Sequence, residues 1–105
     1  MEIAIDDAGS TVTVKLVGRL DISGARSIDL PLATLSGSKN RILIDMAGVT
    51  FIASIGLRHL LTAARAVQRR GGQLSLLNPT AAVAEVVTTS GLIELLPIER
   101  GTRLD

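Results

Sequence analysis

No cysteine occurs in the 105 residues, which excludes disulfides, thiolate metal centres and cysteine nucleophiles. Aromatic residues are almost as scarce. Phe51 stands without a single tryptophan or tyrosine, so there is no stacking platform for single-stranded nucleic acid. Charge of one sign is missing too: a formal net charge of +1 offers none of the concentrated basic surface that nucleic-acid binding needs. No apolar run approaches the roughly 18 residues of a transmembrane helix. The N-terminus lacks a basic segment followed by an apolar core, so no signal peptide is read there, and the expected location is cytoplasmic, without membrane insertion. Neither Gly-x-x-x-x-Gly-Lys-Ser/Thr nor Gly-x-Gly-x-x-Gly occurs, which removes the common phosphate-cradling loops. His59 has no second histidine and no cysteine to complete a metal site.

What is present is an apolar content of 47%, enough for a folded core in one domain over 1–105, with 100–105 expected to be a loosely held tail. Ile3 and Ile5 alternate with polar neighbours as a first strand. After the turn Asp7-Ala8-Gly9-Ser10, Val12, Val14 and Leu16 alternate as a second, and so short a connection predicts an antiparallel hairpin. Ala25, Ile28, Leu32 and Leu35 carry helical spacing, with Ser23 as a plausible cap. Pro31 among them predicts a helix that is kinked or begins late. The run Arg41–Met46 reads as a strand buried on both faces.

Beyond Ser54 the apolar spacing becomes helical through Leu57, Leu60, Leu61, Ala64 and Val67, and Gly71-Gly72 ends the helix near Arg70. Leu74, Leu76 and Leu77 form the next strand. Asn78-Pro79 then reads as cap and first residue of a helix with Val83, Val86 and Val87 inward and Gly91 at its end. A short edge strand over Leu95–Ile98 follows. Alternating strands and helices imply parallel neighbours joined by right-handed crossovers. The fold class is therefore α/β, a mixed sheet of four to five strands with three to four helices.

The stretch Val49-Thr50-Phe51-Ile52-Ala53-Ser54-Ile55-Gly56-Leu57 joins the buried strand to that long helix, and its large apolar groups cannot all face the core. Ser54 falls at the helix start, where its hydroxyl would cap a free backbone N–H for about 1 kcal/mol. Gly56 stands where a better helix former would be more stable, leaving the backbone open to close approach by another chain. Ile55, beside the exposed helix start, is expected in solvent. Arg58, Thr62, Arg65 and Arg69 share one helical face, which reads as an ordinary solvated stripe or as the rim of a site for an acidic partner. Five residues of helix separate Ser54 from His59 and point them apart, so the two make no catalytic pair, and enzymatic function has no support.

Strand, then "GVTFIASIGL", a helix ending in Gly-Gly, then "LSLLNPT" and "SGL", resembles a STAS domain of the bacterial anti-sigma-factor-antagonist type. The earlier Gly18-Arg19-Leu20-Asp21 is similar to that family's Gly-x-Leu-Asp. The family's loop reads Asp-Ser-Ser/Thr-Gly-Leu, and aligned on Gly56-Leu57 its phosphorylated serine falls on Ser54. Ala53 stands where the family has aspartate, and Ile55 where it has a second hydroxyl residue. The resemblance implies a regulatory binding module, switched by reversible phosphorylation of Ser54, that docks through Asp21, Ala53, Ser54, Ile55, Gly56 and Arg58. Its partners would be a serine-kinase anti-sigma factor of the ATPase fold and a PP2C-type phosphatase, with no cofactor. Asp21 reads equally well as a turn or helix-cap residue. Two alternatives stand beside this one: a STAS accessory subunit of a membrane transporter that docks without a phosphoswitch, and a small-molecule-binding module.

Overall fold

The computed structural model describes residues 1–101, and the elements run β1 Glu2–Ala8, β2 Thr11–Leu20, α1 Ile22–Ser36, β3 Arg41–Ile52, α2 Ser54–Arg69, β4 Gln73–Leu77, α3 Ala81–Thr89 and β5 Ile98–Glu99. The sheet order is β1-β2-β3-β4-β5. β1 and β2 form the expected antiparallel hairpin, and every later pair is parallel. Each crossover steps to the next strand in the same direction, so right-handed connections place all three helices on one face of the sheet. The burial pattern agrees. Val12, Val14, Leu16, Ile42, Ile44, Leu74 and Leu76 are at most 1% exposed on that face, whereas Lys15 and Gln73 on the other are open to solvent. The core between sheet and helices is completed by Ile28 and Leu32 of α1, Leu60, Ala64 and Val67 of α2, and Val83 and Val87 of α3.

α1 differs from its sequence expectation. It starts at Ile22 and runs through Pro31, capped by Asp21, whose Oδ1 accepts the Gly24 N–H at 3.0 Å; Ser23 lies inside the helix. Proline deprives the Ser27 carbonyl of its helical donor, but Ser27 is exposed and solvent can replace the lost bond. β3 is also longer than predicted, because β2 pairs with it as far as Ile52. Phe51 and Ile52 therefore belong to the strand. α3 begins later than Asn78-Pro79 suggested: Thr80 takes the N-cap position, while Asn78 adopts a left-handed φ of 48°. The edge strand is confined to Ile98–Glu99. Of the predicted tail, Arg100 donates to the Pro79 carbonyl at 3.1 Å and Gly101 exchanges hydrogen bonds with the Asn78 side chain; the rest lies outside the described residues.

Two irregularities in the β2–β3 register shape the end of the sheet nearest α1 and α2. Lys15 pairs with Asp45 and Val17 with Gly48, then Gly18 pairs with Val49 and Arg19 with Phe51. Each shift gives β3 one extra residue, as a β-bulge does, and changes which side chains face inward. The buried Asp45 carboxylate accepts the Ala47 N–H at 3.1 Å beside the first of them.

Candidate partner-docking site

β2 and β3 are parallel neighbours, so their C-terminal ends lie together, and each leads directly into a helix. α1 begins after Asp21 and α2 after Ala53, and the Ala53 N–H donates to the Leu20 carbonyl at 2.9 Å. Two helix N-termini therefore open side by side at one end of the sheet, where the partial positive charge of each helix favours an anion.

Two glycines make this seating possible. A Cβ on Gly24 would fall 2.4 Å from the Arg19 carbonyl oxygen, and one on Gly56 would fall 2.6 Å from Leu20 Cγ. The first turns of both helices press onto the same end of β2, closer than any side chain would allow. This corrects the expectation for Gly56: it is buried, and the space beside its Cα is filled by the chain's own Leu20 rather than left open to a partner.

Ser54 is exposed and is the first residue of α2; Ala53 occupies the cap position, without a side-chain bond. The expected serine cap is thus displaced by one residue, and the Ser54 hydroxyl has no hydrogen-bond partner among the described residues. Asp21 and Ala53 are half-buried. Arg58, one turn along α2, is exposed, and no carboxylate among the described residues pairs with it. Ile55, expected in solvent, is half-buried. His59 turns away from Ser54 and faces α1, its Nδ1 3.4 Å from Asp29 Oδ1. Among the described residues no group of three His, Cys, Asp or Glu is placed to hold a metal ion.

The structure adds neighbours that sequence reasoning missed. The Arg19 guanidinium lies 4.4 Å from the centre of the Phe51 ring, and its Nε is 3.9 Å from Asp21 Oδ2. Phe51 is 39% exposed and Ile22, first in α1, is 62% exposed, so large apolar groups stand open to solvent near the end of β3 and at the start of α1. The crowding of large residues around Phe51 was a signal in the sequence. Which of them faces out depended on the second bulge, which turns Phe51 over Arg19 while Ile52 goes inward.

Comparison with known proteins places this geometry. The family model described as "Mlab, STAS domain" matches residues 3–97. Among curated proteins, BtrV of Bordetella bronchiseptica, whose name puts it among the anti-sigma factor antagonists, is 25% identical over 99 residues, covering 93% of this chain and 85% of BtrV. Among solved structures, the anti-sigma factor antagonist SpoIIAA in its unphosphorylated form superposes with a TM-score of 0.84 at 25% identity, covering 97% of this chain and 90% of that one. A sulfate transporter family protein from Wolinella succinogenes shares the fold alone, with a TM-score of 0.70 at 18% identity over 83% of this chain and 71% of that one. Among the described residues no helix is long and apolar enough to cross a membrane. With a family model that spans all but the ends of the chain and a SpoIIAA-like arrangement of five strands and three helices, this chain belongs to the STAS domain family.

Proposed function

We propose that this chain is a cytoplasmic anti-sigma factor antagonist that works by partner switching. With Ser54 unmodified, it docks a serine-kinase anti-sigma factor of the ATPase fold through the end of the sheet where α1 and α2 begin. Phosphorylation of Ser54 releases that partner, and a PP2C-type phosphatase restores the docking form. One observation carries the reading: in a SpoIIAA-like fold, an exposed serine without a hydrogen-bond partner among the described residues stands first in α2, and the resemblance of the loop around Gly56-Leu57 implies that it is the phosphorylated one.

The chemistry suits a switch that leaves the fold intact. A phosphate on Ser54 would meet free N–H groups at the positive end of the helix, so α2 can keep it without unwinding. It would add roughly −1.5 to −2 of charge where a partner must approach. SpoIIAA itself has been solved in a phosphorylated as well as an unphosphorylated form. The test begins with capture of the partner from native lysate and its identification by mass spectrometry. Incubation with the captured kinase and ATP should modify Ser54 and release the complex. Ser54→Ala should bind and resist release; Ser54→Asp should bind weakly while its melting temperature stays near that of the parent. Phosphate on another residue, with Ser54 untouched, overturns the proposal.

A second reading is supported by Ala53 and Ile55, which replace the aspartate and hydroxyl of the family loop, and by the fold shared with the transporter family protein. In it the chain docks constantly to a transporter ATPase subunit. Ser54→Ala and the parent would then capture the same partner, and ATP would release neither.

A further inference from the structure

We infer that the solvent face of α2, along Arg58, Arg65 and Arg69, docks an acidic helix of the partner protein. The inference rests on the proposed docking at Ser54 and extends that surface. α2 contains no aspartate or glutamate over its 16 residues, although acidic and basic residues nearly balance in the whole chain. Arg58, Arg65 and Arg69 recur at steps of seven and four, which puts them on one face, along about 16 Å of helix. All three are exposed, and none forms an ion pair among the described residues. Arg70 shows the contrast, since its guanidinium is spent on the Ser36 and Lys39 carbonyls at the end of α1. The opposite face of α2 is buried through Leu60, Ala63, Ala64 and Val67, so the stripe sits on a rigid support.

The chemistry selects among anionic ligands. Guanidinium groups pair with carboxylates through two parallel hydrogen bonds, and a row of them matches carboxylates spaced along a helix. Three phosphate contacts would leave nucleic-acid binding weak and erased by moderate salt. An anionic membrane surface calls for large apolar side chains beside the arginines. Among the described residues the large exposed hydrophobics are Ile5, Ile22, Leu30, Phe51 and Ile93, and none lies on α2. The stripe starts one turn from Ser54, so a partner held there reaches Arg65 and Arg69 by continuing along the helix. Phosphate on Ser54 would then repel the same acidic surface that the arginines attract.

The probe is a fluorescein-labelled helical peptide with glutamates at i, i+4, i+7 and i+11, compared with the same peptide carrying glutamines. The expected result is that the glutamate peptide binds at least roughly tenfold more tightly at low salt, as several exposed ion pairs acting together allow. Amide shifts in NMR should map to Thr62 and Gln68, and the preference should vanish in the Arg65→Glu/Arg69→Glu double variant. That variant leaves Ser54 untouched and, with both positions exposed, should melt within a few degrees of the parent, because an exposed acidic group in the last turn of α2 opposes the helix dipole only weakly. Equal binding of the two peptides overturns the inference. So do shifts confined to other elements, self-association in place of peptide binding, or retention of the chain by vesicles containing phosphatidylglycerol with no preference for the glutamate peptide. Failure of the phosphoswitch is read separately, because Ser54→Asp tests it with Arg65 and Arg69 intact.

Discussion

Replacing Gly56 by alanine measures how tightly α2 is seated on β2. The added Cβ would lie 2.6 Å from Leu20 Cγ and 3.0 Å from both Leu20 Cδ2 and the Leu20 carbonyl oxygen. Leu20 is wholly buried, and its carbonyl is held by the Ala53 N–H at 2.9 Å, so neither side chain nor backbone can retreat freely. Overpacking of this kind costs roughly 1–3 kcal/mol. Alanine's helix propensity returns about 1 kcal/mol relative to glycine. Because the contact is with a branch carbon and a backbone oxygen, the clash belongs in the upper part of its range, and the net loss is about 1–2 kcal/mol. For a domain of this size that lowers Tm by roughly 5–15 °C. Urea denaturation should show a lower midpoint at unchanged slope. Leu20→Ala alone should cost about 2–5 kcal/mol by opening a cavity. In that background only the Leu20 carbonyl oxygen remains close, at 3.0 Å, so Gly56→Ala should cost no more than about 1 kcal/mol. The two sites are then coupled by roughly 1 kcal/mol. A Gly56→Ala chain as stable as the parent would refute the close seating of α2 on β2.

Asp21→Ala should lose about 1 kcal/mol in urea denaturation by removing the α1 cap, while Asp21→Asn keeps most of it because an amide oxygen can still accept the Gly24 N–H. Equal losses in the two variants would show that the charge, not the cap, supports the helix. Asp7 gives a pH signature: its hydrogen bond from Lys39, at 2.7 Å, holds the carboxyl below the ordinary carboxylate range. The folded chain then gives up this proton more readily than the unfolded one. Its stabilisation is full above the unfolded value near pH 4 and is lost as pH falls through the lower folded value. The urea midpoints of parent and Asp7→Asn should therefore differ at pH 7 and converge in acid below about pH 4. A difference that is constant with pH would remove the ion pair from the account.

Much of the fold was legible in the sequence, because period alone separates a strand facing a core from a helix lying on it. The alternation of Val12, Val14 and Leu16 and the spacing of Leu60, Ala64 and Val67 met the burial they implied. The run Arg41–Met46, expected to be buried on both faces, is only half-buried at Arg41 and Leu43, because all three helices cover the opposite face of the sheet. Ser54 could be placed near a helix start on the same basis. Asp21 stood out through the resemblance of Gly18-Arg19-Leu20-Asp21 to the family motif, while period alone put the α1 cap at Ser23, two residues too late. Tertiary structure decided what happens between such segments. Whether Pro31 interrupts α1 depended on the solvent exposure of the Ser27 carbonyl it strips of a donor. The facing of Phe51 depended on a bulge that exists only because β2 and β3 pair with unequal residue counts. Gly56 looked like an opening for another chain because sequence shows that a side chain is absent without showing what fills its place. Leu20, 36 positions earlier, fills it, and only the folding of β2 beneath α2 could bring the two together.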